Sequence, residues 1–192
     1  MKIHEVKNTI INLLLSTDRK GITDIIDLLN TSDFYTAPAS TKYHGNYEGG
    51  LAQHSLNVYN QFSLKCHLYK LKVPRESIIL CSILHDILKI NTYTKGTKWR
   101  KDKKDNWEEY QTYLYEDKLP IGHGEKSIII LQKYIKLTDQ EIMLIRWHMG
   151  TFNLSSNEMY TYYDAVELYP EIVALHTADY EATTFLEPTI KY

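Results

Sequence analysis

Residues Ile78 to Leu88 read Ile-Ile-Leu-Cys-Ser-Ile-Leu-His-Asp-Ile-Leu, an apolar run that carries two adjacent ionisable side chains, His85 and Asp86, near its end. A helix that is apolar nearly all round is a buried helix. Two ionisable neighbours inside it are costly unless they are paired or bound to metal. The rest of the chain must therefore wrap this segment and bring partners to His85 and Asp86.

The remaining sequence supplies helices for that purpose. Apolar residues recur at helical spacing at Val6, Ile10, Leu13 and Leu14, at Ile22, Ile25, Ile26 and Leu29, and at Leu51, Leu56, Val58, Phe62 and Leu64. These predict helices of roughly 12 to 20 residues. Start signals mark later ones: Pro74, Thr138 with Glu141, Ser155 with Glu158, and Pro170. One stretch departs from the helical pattern. Between Lys98 and Tyr115 aromatic and polar residues alternate around Lys-Asp-Lys-Lys-Asp-Asn, which predicts a small β-hairpin inserted over residues 96–116. No repeat or Gly/Pro/Ser-rich linker divides the 192 residues, so the expectation is an all-α single domain over residues 1–192, with N-terminal helices in 1–35 packed on the core.

Composition narrows the function classes. With 43% hydrophobic and 24% charged residues the chain is globular rather than disordered. It contains neither an apolar run of about 18 residues nor a clear cleavable leader, so no membrane partner is expected and a cytoplasmic location is. Cys66 and Cys81, the two cysteines, both fall in apolar helical stretches and read as reduced, buried thiols. A net charge of −2 gives no global attraction for nucleic acid or acidic lipid, so an anionic substrate needs a local site.

That local site is legible in the histidines. His54 follows Gly49-Gly50-Leu51, His85-Asp86 form the buried pair, His123 stands in Gly-His-Gly-Glu, His148 follows Arg146-Trp147, and Asp179 follows His176-Thr177-Ala178. Each belongs to a separate predicted helix or helix start, and facing helices of a bundle can converge such side chains on a core metal site. Imidazole suits transition metals, and a carboxylate next to a histidine can bridge two ions. A lone histidine is more often an ordinary packed or surface residue, which is the reading for His4, His67, His44 and His176.

The same residues resemble the HD-domain superfamily, defined by a His, a later His-Asp pair and a distant Asp on a helical bundle. Gly49-Gly50-Leu51 with His54 is similar to its Gly-Gly-Leu-x-x-His segment, Leu84-His85-Asp86-Ile87-Leu88-Lys89 to its His-Asp-Ile-Gly-Lys, and Leu175 to Asp179 to its closing Ala-Asp helix. The resemblance spans residues from about 40 to 185 and is closest to small stand-alone bacterial and phage HD proteins. Leu88 departs from the usual glycine. The resemblance implies two divalent ions (Mn, Fe, Mg, Co, Ni or Zn), one on His54, His85, Asp86 and Asp179 and one on Asp86, His123 and His148. It also implies a phosphohydrolase that cleaves a phosphomonoester or phosphodiester of a nucleotide or an oligonucleotide end with a metal-activated water.

Lys89 sharpens the subclass. Deoxynucleotidases of the superfamily carry Glu there, whereas the His-Asp-x-x-Lys form resembles its phosphodiesterases, an exoribonuclease group and certain oxygenases. Asp86 and Lys89 are the expected catalytic residues, and Lys89, Lys98 and Arg100 the expected substrate contacts. Trp99 or Trp107 would stack on a base, and Glu125 or His176 would handle a proton. Two rivals share the ligand order: a mixed-valence di-iron oxygenase and a catalytically inactive nucleotide-binding module. The cyclic-dinucleotide branch is disfavoured, because Met149-Gly150-Thr151-Phe152-Asn153 lacks its Gly-Tyr-Pro signature. Assembly into a homo-oligomer is left open.

Overall fold

The computed structural model describes residues 2–189. Among them are eight α-helices and one two-stranded antiparallel sheet. Helix α1 (Ile3–Leu15) turns Val6, Ile10 and Leu14 inward, and α2 (Ile22–Thr31) turns Ile22, Ile25, Ile26 and Leu29 inward, the stripes that their spacing predicts. Gly21 separates the two; its φ of 87° is left-handed, and a Cβ there would stand 2.0 Å from the Tyr134 carbonyl oxygen. Helix α3 (Gly50–Tyr69) is the longest and packs against α1, α4 (Arg75–Leu84) and α8 (Glu171–Glu181). Its start requires glycine, since a Cβ on Gly50 would lie 1.9 Å from the Gly45 oxygen. Phe62 on α3 and Phe34 in the loop before it are fully buried.

The buried apolar run is not one continuous helix. Helix α4 stops at Leu84, His85 forms its C-terminal cap, and a single 3-10 turn follows over Ile87–Lys89. Asp86 between them has φ −102° and ψ 19°, in the sparsely populated bridge region that many active-site residues adopt. The tighter turn is closed by a hydrogen bond from the Lys89 N–H to the Asp86 carbonyl at 3.0 Å.

The hairpin forms, but begins earlier than residue 96. Strands β1 (Tyr93–Lys101) and β2 (Trp107–Tyr115) pair from Tyr93 opposite Tyr115 to Lys101 opposite Trp107. Asp102 closes the turn, accepting from the backbone N–H groups of Lys104 and Asn106. After it come α5 (His123–Leu131), α6 (Asp139–Trp147) and α7 (Ser156–Leu168). Both capping boxes exist: Thr138 and Ser155 accept from the N–H of Glu141 and Glu158. Helix α2, at 10 residues, is shorter than its pattern predicts, and α5 and α6 have 9 residues each, α5 starting at His123 and α6 ending just before His148. A single π-helical turn, Ala182–Leu186, continues α8. Buried apolar residues from α1 through that turn form one contiguous cluster, and Cys66 and Cys81 lie in it as free thiols. Among the described residues no helix is long and apolar enough to cross a membrane.

Candidate metal centre

Five segments converge on Asp86. His54 comes from the second turn of α3, His85 and Asp86 from the break after α4, His123 from the first residue of α5, His148 from the cap of α6, and Asp179 from α8. Their donor atoms form overlapping triads: His54, His85 and Asp86; His85, His148 and Asp179; and Asp86, His123 and His148. Within each triad every donor lies within 4.8 Å of the others. The Asp86 carboxylate is shared. Its Oδ2 is 3.6 Å from His54 Nε2 and 3.6 Å from His85 Nε2, while its Oδ1 is 2.8 Å from His123 Nε2 and 3.7 Å from His148 Nε2. Asp179 Oδ1 stands 3.3 Å from His54 Nε2.

The outward nitrogen of each deeply buried histidine is already committed. His85 Nδ1–H donates to the Ser82 carbonyl at 2.8 Å, and His148 Nδ1–H to the Ile145 carbonyl at 2.7 Å. His54 Nδ1 is held by the Glu187 carboxylate at 2.9 Å, and Asn57 Nδ2 donates to the same Glu187 oxygen at 3.1 Å. A neutral imidazole that gives its Nδ1–H away keeps a lone pair on Nε2. The Nε2 atoms face inward: His54 Nε2 and His85 Nε2 are 3.3 Å apart, and the buried His148 Nε2 has no hydrogen-bond partner. Backbone or carboxylate on one nitrogen and an inward lone pair on the other is the arrangement of metal-ligating histidines. The donor set therefore fits divalent metal.

Electrostatics agree with that fit. Burial pushes His85 down to about 3, so it is a neutral imidazole at neutral pH. Burial also opposes a charge on His54, but Asp179 and Glu187 outweigh it and raise its pKa to about 10. Burial works against the Asp86 carboxylate too, yet the Lys89 ammonium, 2.6 Å from Oδ2, holds it well below the usual range. The site gathers anions that draw positive charge inward, from a proton on His54 and from Lys89.

A cavity of about 450 Å³ opens above this floor. Asp86, Lys89, His123, Asp179, His44 and His176 supply its polar lining, and Met149, Phe152 and Tyr180 part of its apolar wall. Lys89 is fixed from two sides, by Asp86 and by a hydrogen bond to the Ala39 carbonyl at 2.8 Å. The structure thus brings His54, His85, Asp86, Lys89, His123, His148 and Asp179 together. It does not bring Lys98 or Arg100 there. Both are exposed on β1, neither lines the cavity, and Arg100 is engaged by Glu108 at 2.6 Å and by the Tyr110 ring. Trp99 and Trp107 are likewise exposed on the hairpin and absent from the lining. Glu125 pairs with Arg146 at 2.7 Å beside an adjoining groove. His176 lines the cavity and donates its Nδ1–H to the His148 carbonyl at 2.8 Å, which braces the backbone of His148.

Three residues were not singled out from the sequence as part of the site. His44, taken as ordinary, lines the cavity and forms a fourth donor triad with His54 and Glu187. Burial, then the positive His54 and Lys89, lower its pKa to about 4. Glu187 and Asn57 orient His54. Asn57 lies three residues after His54 in α3, on the same face, a spacing open to reading, whereas Glu187 sits beyond α8 with no local signal.

Comparison with known proteins gives one informative likeness. Over 64 residues the chain is 39% identical to a dihydroneopterin 2',3'-cyclic phosphate phosphodiesterase of Methanocaldococcus jannaschii, covering 31% of this chain and 25% of that protein. The chain thus matches about a quarter of the length of that curated relative. No family model matches, and no solved structure does.

Proposed function

We propose that this protein is a metal-dependent phosphohydrolase of the HD type. The substrate class is a phosphomonoester or phosphodiester of a nucleotide or an oligonucleotide end. The observation that carries the reading is the Asp86 carboxylate, shared between His54 and His85 on one oxygen and His123 and His148 on the other. His54, His85, Asp86 and Asp179 hold one divalent ion, and Asp86, His123 and His148 a second. Ions held so supply a water acidified toward neutrality and positive charge for phosphoryl oxygens.

The chain's own residues do the rest. Glu187 and the Ser82 and Ile145 carbonyls fix the imidazole rings so that their orientation need not change on binding. Lys89 keeps its proton and, tethered between Asp86 and Ala39, presents a fixed cation at the cavity to a phosphoryl oxygen. The likeness to a phosphodiesterase supports the same reaction class. The test is phosphate or phosphomonoester release from nucleoside monophosphates, nucleoside cyclic phosphates and short oligonucleotides, run without oxygen in Mn, Mg, Co, Ni, Fe or Zn. Metal-dependent release supports the proposal. No release without oxygen, with iron-dependent oxygen consumption once air is admitted, selects the oxygenase.

A further inference from the structure

Two aromatic rings flank the cavity mouth in a way that phosphoester chemistry alone does not require. Phe152 is 65% and Tyr180 67% exposed, so neither serves the core, yet both line the cavity above Asp86 and Lys89. Their placement is tied to the metal donors. Tyr180 directly follows Asp179 on α8, and the π turn that begins two residues later brings Thr183 to the same wall. Phe152 follows His148 by four residues in a loop that turns at Gly150, where φ is 61° and a Cβ would stand 2.7 Å from the His176 ring. Only glycine lets that loop lie on His176 and bring Phe152 to the mouth. Phe152 and Met149 also line the adjoining groove of about 290 Å³, so the Phe152 ring stands where the two spaces meet.

A phosphoryl group is held by cations and hydrogen-bond donors, and those lie on the floor. Exposed rings on the wall of that cavity suit a flat, apolar-faced group attached to the phosphate. Aromatic stacking on a base contributes about five- to 150-fold in affinity and tolerates many heterocycles. We infer that Phe152 and Tyr180 form a ring clamp that selects substrates carrying a planar heterocycle, such as a nucleobase, beside the phosphoester. The inference rests on the phosphohydrolase reading and moves base recognition from the hairpin tryptophans to the cavity mouth.

The test compares adenosine 2',3'-cyclic phosphate with glycerol 1,2-cyclic phosphate, which presents the same ester without a ring. The wild-type protein loaded with Mn favours the adenosine ester in kcat/KM. Phe152→Ala and Tyr180→Ala each reduce that preference about tenfold, and Phe152→Trp retains it. Equal use of both esters by the wild type, or an undiminished preference in both alanine variants, overturns the clamp. Calorimetric binding of adenosine 5'-monophosphate to the Mn-loaded protein separates the two claims, because it needs no turnover. Binding that weakens about tenfold in Phe152→Ala, with no hydrolysis of any ester, keeps the clamp and removes the hydrolase. Binding that is absent, or equal in both proteins, removes the clamp.

Discussion

The protein buries two clusters of charged side chains, and they are finished differently. Around Glu141, fully buried on α6, each carboxylate oxygen is satisfied: Oε1 accepts from Arg19 at 2.7 Å and Ser77 at 2.8 Å, Oε2 from Arg19 at 3.1 Å and the Thr138 N–H at 2.8 Å. Around Asp86, by contrast, His148 Nε2 is buried with no partner, and the metal-free His54 holds an extra proton drawn in by Asp179 and Glu187. Buried polar groups left unmatched are costly, whereas a closed network is a structural tie. The first cluster pins the loop before α2 to α4 and α6. The second leaves donors open to a ligand, and that contrast supports the proposed metal centre.

Exchanging one residue in each cluster gives the largest separation. Asp86→Ala takes away the shared carboxylate, so metal content by plasma emission falls from about two ions per chain to near zero, and phosphoester turnover falls to background. His123→Ala removes one arm and leaves about one ion. Full metal occupancy in Asp86→Ala would remove that residue from the centre. Glu141→Gln does the reverse: it leaves Arg19 facing a neutral amide and destabilises the fold by about 3 kcal/mol, a fall in Tm on the order of 10 °C, with metal content unchanged. Calorimetric unfolding beside metal analysis checks both, and loss of metal in Glu141→Gln would erase the distinction between the clusters.

The two clusters also differ in how readily the sequence discloses them. His85-Asp86 stands out because its neighbours are apolar, and His54, His123, His148 and Asp179 because each falls on a separate predicted helix or helix start, in an order that resembles the HD ligands. The helices themselves are legible from their stripes and caps, as Thr138 and Ser155 show. The break after Leu84 is not, since an apolar run has the same appearance whether its last turn is α or 3-10. Nor is Glu187: it meets His54 across 133 positions, and only the packing of α8 on α3 brings them together. Arg19 and Glu141, 122 positions apart, hide for the same reason. Lys98 and Arg100 were misdirected by composition. A basic, aromatic hairpin suggests substrate contact, but Lys98 and Arg100 stay exposed on β1 and do not line the cavity.

Smaller changes probe how the open cluster is tuned. Glu187→Gln keeps the shape beside His54 Nδ1 and removes the charge that fixes its tautomer, so metal affinity falls about 10- to 100-fold, measured by competition with a chelating dye. An unaltered affinity would make Glu187 a packing residue. Lys89→Met removes a cation 2.6 Å from Asp86 Oδ2. Turnover then falls while metal affinity holds or rises, because the ammonium and the metal compete for the same carboxylate charge. A parallel loss of metal would assign Lys89 to assembly of the site instead of substrate.

The smallest and most diagnostic effect is the sign of the pH dependence in the metal-stripped protein. Glu141 titrates below its ordinary value because hydrogen bonds from Arg19, Thr138 and Ser77 outweigh the opposing effect of burial. The unfolded chain therefore binds more protons on the acid side, and stability from this cluster is complete above the ordinary Glu range and is lost as pH falls through the folded pKa. His54 runs the other way. Asp179 and Glu187 overcome its burial and raise its pKa to about 10, so its stabilisation is complete below the ordinary His value of 6.5 and is lost as pH rises from there toward 10. Metal that replaces this proton removes the alkaline loss, and loading the site near neutral pH releases about one proton from His54. Denaturant midpoints across pH, with and without bound Mn, read both limbs. An alkaline limb that persists with Mn bound, or that is absent from the stripped protein, would separate His54 from the metal. Asp86, Asp179 and Glu187 are also held below their ordinary values and keep part of the acid limb, so an acid limb wholly undiminished in Glu141→Gln would take the other cluster out of the comparison.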